Sequence, residues 1–249
     1  MIIVQAQHTS GAHSSRSTSF PRDFSALTHW PGLISPVPDQ AHCPISWAVS
    51  AVSVASDRIS IGQGSPVVLD PQAVLYCGRG GQFKCKEAPT DLAWNYLRRF
   101  GVWEISCPSN FTWESCSSTE CKRHRTLPAY MVGREGERMK DIMQEIMSQG
   151  PVQAIIQVYA DLFLYESGIY QRSKLPSNSI LGFHGVRIVG WGEEAGLKYW
   201  KVANSWGNQW GEEGYFRIIR GENECSIEEF VMAVWPKKTR ARRRRQRRE

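Results

Sequence analysis

The chain predicts an α+β protein of two lobes, and three observations carry that reading. Helical spacing dominates up to about residue 149 and strand-type runs follow it. With 249 residues the chain can bury a proper core, as one bipartite domain or two packed halves. Its 41% hydrophobic and 22% charged residues are ordinary for a globular protein. No apolar run approaches the ~18 residues of a membrane span, so no membrane partner is expected. There are no internal repeats.

Residues 1–19 are rich in Ser, Thr and His, lack periodicity and read as a disordered leader. Met1-Ile2-Ile3-Val4 is too short for a signal-peptide core of ~7–15 apolar residues, so we expect the true start to lie upstream. An apolar run from Ala48 to Ala55 marks the first long helix. Asp70-Pro71 opens a short helix ending near Cys77, with Asp70 as N-cap and Pro71 at the first helical position. Thr90 to Phe100 reads as an amphipathic helix stopped by Gly101. Cys107 to Leu127 is polar and loop-like. Gly136 to Gln149 has helical spacing at Met139, Ile142, Met143 and Ile146, and Gly150-Pro151 ends it. Strands are expected at 152–156, 186–189, 199–202 and 215–219, with Gly-rich turns between them.

Just ahead of the first helix, Asp39-Gln40-Ala41-His42-Cys43-Pro44-Ile45-Ser46-Trp47 sets a side-chain amide, Gln40, six residues before a hydroxyl, Ser46. Free N–H groups at a helix start point outward and favour negative charge. A nucleophile-type atom there, with Gln40 as a second donor, suits holding an oxyanion. Ser46 equally reads as a helix-entry residue, since Ser is favoured at that position anyway.

Six of the seven cysteines fall between Cys43 and Cys121, and Cys225 stands alone. A zinc site wants tight ligand pairs. Cys116/Cys121 and the looser Cys77/Cys85 come without a His pair, so three disulfides and one free thiol are expected, with no metal and no cofactor. Disulfides imply an oxidising compartment. The glycosylation sequon at Asn110, Asn110-Phe111-Thr112, points the same way. The formal charge of +6 belongs to the C-terminus: Lys237–Glu249 holds nine Lys/Arg and one Glu, leaving 21 Lys/Arg against 23 Asp/Glu elsewhere, a net of −2. This tail is expected to be disordered. Three roles compete for it: a solvated end, a patch for heparin-like polyanions and matrix, and, least favoured beside disulfides, nucleic-acid binding or nuclear localisation.

The Gln40–Trp47 stretch resembles the nucleophile segment of papain-family cysteine proteases, C-G-[SA]-C-[WY], here Cys43-Pro44-Ile45-Ser46-Trp47 with Ser46 at the nucleophile's position. Phe20-Pro21-Arg22-Asp23-Phe24 and Trp30-Pro31 resemble the start of a mature cathepsin. Gly182-Phe183-His184-Gly185-Val186 resembles the segment of the family's catalytic His, and Ala203-Asn204-Ser205-Trp206-Gly207 that of the Asn orienting it. The resemblance implies a papain-like two-lobed fold over residues 20–236, with a helical lobe to about residue 130, a β-barrel-like lobe from 131, and a cleft between them. It implies His184 bonded to Asn204, Trp206 shielding that bond, and Gln40 as the oxyanion donor.

Within the family the likeness is to cathepsin B, through Ala55-Ser56-Asp57-Arg58-Ile59, Leu164–Tyr170, Val189–Gly192 and Arg220–Glu228. Cathepsin B's occluding loop with paired histidines would not fit between Cys107 and Cys121, and the chain has no His-His pair. The resemblance suggests the bridges Cys43–Cys85, Cys77–Cys116 and Cys107–Cys121, and an unpaired Cys225. A Ser at the nucleophile position resembles the tubulointerstitial nephritis antigen group of cathepsin B relatives, secreted matrix glycoproteins taken to be inactive. That implies a pseudoprotease with a matrix or binding role, extracellular or, alternatively, lysosomal. A peptidase with residual Ser-based activity is the other reading. Three departures add bulk where the family's cleft is open: Glu87-Ala88 for Gly-Gly, Pro44-Ile45 before Ser46, and Phe183 beside His184.

Overall fold

One helix, α2 (Ser46–Gln63), supplies much of one of two hydrophobic clusters and lies against the sheet that holds the other. The computed structural model describes residues 19–78, 85–107, 116 and 120–237. The sequon at Asn110, the leader and all of the basic tail beyond Lys237 lie outside the described residues.

The chain enters through β1 (Phe24–Ser25) and α1 (Ala26–His29) before reaching α2. Small and β-branched residues from Ala48 to Ala55 are buried on every side of α2, as expected for a helix with no polar face. Its buried serines satisfy themselves locally: Ser50 donates to the Ser46 carbonyl and Ser56 to that of Val52, at 2.6 and 2.8 Å. Gly64, at φ +72°, closes the helix in the left-handed conformation that only glycine adopts readily.

Helices α3 (Gln72–Cys77) and α4 (Thr90–Arg99) pack beside it, and Ala93, Trp94, Tyr96 and Leu97 of α4 are buried. α3 begins one residue later than expected, with Pro71 rather than Asp70 as its N-cap; the Asp70 carboxylate still accepts the Gln72 N–H at 2.9 Å. After β2 (Tyr130–Met131) comes α5 (Arg138–Gln149), which buries Ile142, Met143 and Ile146 against the sheet.

The remaining strands are β3 (Val152–Tyr159), β4 (Ile169–Tyr170), β5 (Ile180–Glu194), β6 (Leu197–Ala203), β7 (Tyr215–Ile219) and β8 (Val231–Ala233). Among the described residues they form one eight-stranded sheet, in the order β2-β8-β3-β5-β6-β7-β4, with β1 added to β5. All pairs are antiparallel except β4–β7. Three of the four expected strands are longer than their sequence signal. The 186–189 run grows to the fifteen residues of β5, because β5 pairs with β3 through its first half and β6 through its second.

The first and last described segments each pack on the cluster of the other half. Phe20 and Phe24 pack on the sheet side, whereas Val234 returns to the helical side. Two buried arginines fasten α2 to the sheet. Arg187 of β5 donates to both carboxylate oxygens of Asp57 at 2.8 and 3.0 Å, and Ser35 adds its N–H and O–H to Asp57 at 2.7 Å each. Arg58 donates to the carbonyls of Gly150 and Pro151 and pairs with Glu145 at 2.8 Å. Disulfides join Cys43 to Cys85, Cys77 to Cys116 and Cys107 to Cys121, while Cys225 is buried and unpaired.

Candidate active site

A cleft of about 850 Å³ opens over the start of α2. Gln40, Cys43, Pro44, Ser46, Trp47, Glu87 and Ala88 line one wall, and Val158, Phe163, Phe183, His184, Trp206 and Trp210 the other. The local sequence explains how they meet. α2 delivers Ser46 to the floor at its first turn. β5 carries His184 opposite Ile156 of β3, and the segment after β6 carries Asn204.

His184 is buried, and its Nε2 lies 2.8 Å from the Asn204 Oδ1. An amide oxygen can only accept, so Nε2 carries the proton and Nδ1 is left as the basic nitrogen. Burial holds the imidazole well below its usual value, at about 4, against the opposing pull of the Asn204 bond, so the ring is neutral at pH 7. Trp206 packs on the ring with centroids 4.9 Å apart, and Phe163 stacks in turn on Trp206 at 4.8 Å.

The Ser46 hydroxyl is not bonded to the base that a nucleophile needs. Its Oγ accepts the Gly185 N–H at 3.0 Å, and no hydrogen bond joins it to His184. Gly185 is required here: a Cβ would lie 2.5 Å from the Ser50 Oγ and 2.8 Å from the Ser46 carbonyl. Gln153, buried beneath, donates to the Ser50 Oγ and the Trp47 carbonyl and accepts from Trp94 and Thr90. Sequence reasoning missed Gly185 and Gln153. The glycine had a signal, its place next to His184; the glutamine, inside a strand, had none.

Gln40 is bound on both sides. Its Nε2 donates to the Cys43 carbonyl at 2.7 Å, and its Oε1 accepts from the Ser205 hydroxyl at 2.6 Å. The expected oxyanion donor thus spends one of its two N–H protons on its own loop. Of the bulky departures, Pro44, Glu87, Ala88 and Phe183 do face the cleft. Ile45 does not: it turns into the helical core, 7% exposed, because the residue before Ser46 lies against α2's apolar neighbours. No group of three or more His, Cys, Asp or Glu able to hold a metal occurs among the described residues. Nor is any described helix long and apolar enough to cross a membrane.

A two-lobed fold with Gln40, Ser46, His184 and Asn204 meeting in an interlobe cleft defines the class. The family model of the papain family cysteine proteases matches residues 21–235, and the chain belongs to that family. Its relatives narrow the likeness to the cathepsin B branch and to tubulointerstitial nephritis antigens. It is 38% identical to a tubulointerstitial nephritis antigen-like protein of Mus musculus, over 86% of this chain and 54% of that one. To the tubulointerstitial nephritis antigen of Homo sapiens it is 36% identical, over 88% and 53%. The cathepsin B-like cysteine proteinase 4 of Caenorhabditis elegans is 33% identical over 90% of this chain and 78% of its own length. Procathepsin B S9 from Trypanosoma congolense superposes with a TM-score of 0.76 at 34% identity, covering 89% of this chain and 80% of that one. The chain thus spans about half the length of the nephritis antigen relatives it matches.

Proposed function

We propose that this chain is a secreted, catalytically silent cathepsin B-like protein that acts by binding, with Ser46 in the place of the nucleophilic cysteine. The hydrogen bond from Gly185 to the Ser46 Oγ, without one to His184, is the observation that carries this reading. A thiol near pKa 8.5 can be drawn low enough to exist as a thiolate beside an imidazolium, whereas an aliphatic hydroxyl cannot. A serine must instead hand its proton to a correctly placed neutral base during attack. The base is neutral here, but the hydroxyl is not aimed at it, and ångström-scale misplacement of a nucleophile is costly. The amide commitment of Gln40, with Pro44, Glu87 and Phe183 in the cleft, adds to the obstruction. Three disulfides support an oxidising, extracellular setting, with the lysosome as the second choice.

The second reading, weak Ser-based peptidase activity, is favoured by one feature, the His184–Asn204 pair at 2.8 Å. Incubation of the pure protein with a cathepsin B-type fluorogenic peptide and a thiol-reactive epoxide separates the two. The expected result is neither turnover nor adduct. Hydrolysis that disappears in Ser46→Ala establishes the second reading and overturns the first.

A further inference from the structure

Two buried polar pairs lie along β5, His184 with Asn204 and, further along the strand, Arg187 with Asp57. Each pair leaves one donor over. The Asn204 Oδ1 accepts from the His184 Nε2 and from the Ser205 N–H, both at 2.8 Å, so Nδ2 lies on the other side of the amide. Arg187 commits Nη1 to Asp57 and Ser35 and Nη2 to the carbonyls of Ser35 and Pro36, which leaves Nε. Asn204 and Arg187 are each 2% exposed. Among the described residues, neither the Asn204 Nδ2 nor the Arg187 Nε has a hydrogen-bond partner. Both residues line one small cavity of about 10 Å³, between α2, β5 and the end of β6. Val49, Ser50 and Ser53 of α2 form its helix side.

We infer that this cavity is a binding site for a single buried water, which accepts from the Asn204 Nδ2 and the Arg187 Nε and joins the two pairs into one network. The size fits, since ~10–15 Å³ is the least that admits one water and is far too little for an organic ligand. The polarity fits too: a buried water takes polar partners on several sides, and a buried donor left dry costs the fold. The hydroxyls of Ser50 and Ser53, i and i+3 on one face of α2, can take the water's two protons. The Ser50 Oγ accepts from Gln153 and donates to the Ser46 carbonyl, which leaves it one lone pair for this purpose. Two N–H donors exclude a cation. An anion would bring a second negative charge beside Asp57, whose one charge already balances Arg187. Water on Nδ2 and donors on Oδ1 fix the Asn204 amide from both sides. Turned over, the amide would set its NH2 against the N–H groups of His184 and Ser205. The water therefore helps to keep Oδ1 on His184, and it ties that bond to the pair that fastens α2 to β5. None of this depends on whether the cleft turns over peptide.

The test is a crystal structure of the full chain at a resolution that shows ordered water, from crystals grown once in chloride and once in bromide. One full peak should stand within about 2.7–3.2 Å of both nitrogens, with no anomalous signal there in bromide. The absence of a peak, a peak bonded to one nitrogen only, or a bromide signal at that place overturns the assignment. Ser53→Val reads the same site in solution, because it replaces a hydroxyl of the wall with methyl groups. Filling a dry cavity raises the thermal midpoint, whereas a hydrated site filled in this way loses its water or one of the water's partners. A fall of at least about 2–4 °C is expected, the shift that one lost buried hydrogen bond makes in a domain of this size. Ser53→Thr, equally branched but keeping a hydroxyl, should stay closer to the unsubstituted chain. A Ser53→Val midpoint at or above that of the unsubstituted chain, or equal to that of Ser53→Thr, overturns the hydrated site.

Discussion

The amide of Gly185 holds the Ser46 Oγ at 3.0 Å, one residue away from the His184 imidazole that a nucleophile at this position would need. β5 thus presents both a base and an N–H donor to the same hydroxyl; the N–H is bonded to its Oγ, whereas no hydrogen bond joins the Oγ to His184. The absence of a Cβ on Gly185 is what lets the strand backbone come this close to α2.

Restoring a thiol should therefore restore reactivity more than turnover. In Ser46→Cys a thiolate–imidazolium pair can form with His184, and a papain-directed epoxide should label the protein. Peptide hydrolysis should stay at least about 100-fold below that of an active cathepsin B, since misplacement of the substrate on this scale costs that much. Pro44, Glu87 and Phe183 remain in its path. Steady-state kinetics at cathepsin-like rates would show that Ser46 alone silences the cleft.

The buried His184 should make the protein acid-sensitive in a defined window. Its folded value, about 4, lies below the 6.5 of the exposed group. Between these values the unfolded chain binds more protons than the folded one, so stability rises with pH there and is fully present above about 6.5. Falling through the whole window should remove roughly 3 kcal/mol, at 1.36 kcal/mol per unit. Urea unfolding at pH 7 and pH 4.5 should show that this part of the acid loss is missing from His184→Gln. Identical pH slopes for the two proteins would rule out the assignment.

The Asp57–Arg187 pair gives a larger effect. Burial pushes the Asp57 carboxyl up, while Arg187 and the N–H and O–H of Ser35 draw it back toward the charged form. Asp57→Ala leaves the Arg187 guanidinium, 2% exposed, with its positive charge uncompensated between α2 and β5. A loss of about 3–5 kcal/mol is expected, as for other buried pairs broken on one side. The double variant Asp57→Leu/Arg187→Leu should lose less than the sum of the single losses. Full additivity in chemical denaturation would mean that the two residues do not act as a pair.

Much of this architecture is legible in the sequence because its signals are local. Gly101 and Gly150 end helices where the sequence places their ends, and Tyr215–Ile219 has the bounds expected of it. What escapes is set by distant partners. β1, β2, β4 and β8 are two or three residues long, too short to show alternation, and exist only through their neighbours in the sheet. β5 is hidden by Gly182, Gly185 and Gly190, which read as breakers. Gly190 is instead the point where β1 crosses, with the Phe24 carbonyl 2.1 Å from where a Cβ would sit. At the site, the positions of Ser46, His184 and Asn204 could be read from the order of three motifs. The inward turn of Ile45 and the capture of Gln40 by Cys43 and Ser205 could not, since both depend on how the 39–45 loop folds on itself.

The cysteines divide into six that staple the helical side and one that should be inert. Cys43–Cys85 closes a loop of 42 residues and pins the Gln40–Ser46 loop beside Glu87-Ala88, so its removal reaches both stability and the cleft wall. Cys43→Ala/Cys85→Ala should cost about 2–5 kcal/mol, mainly by releasing the unfolded chain. Cys225 lies in the sheet-side core, 4% exposed. Burial pushes its thiol up, and Glu224, whose carboxylate lies 3.4 Å away, pushes it further in the same direction. A thiol held protonated and covered does not react. A maleimide should therefore modify Cys225 only after denaturation, giving one adduct per unreduced chain, and modification in the native protein would place that thiol at the surface.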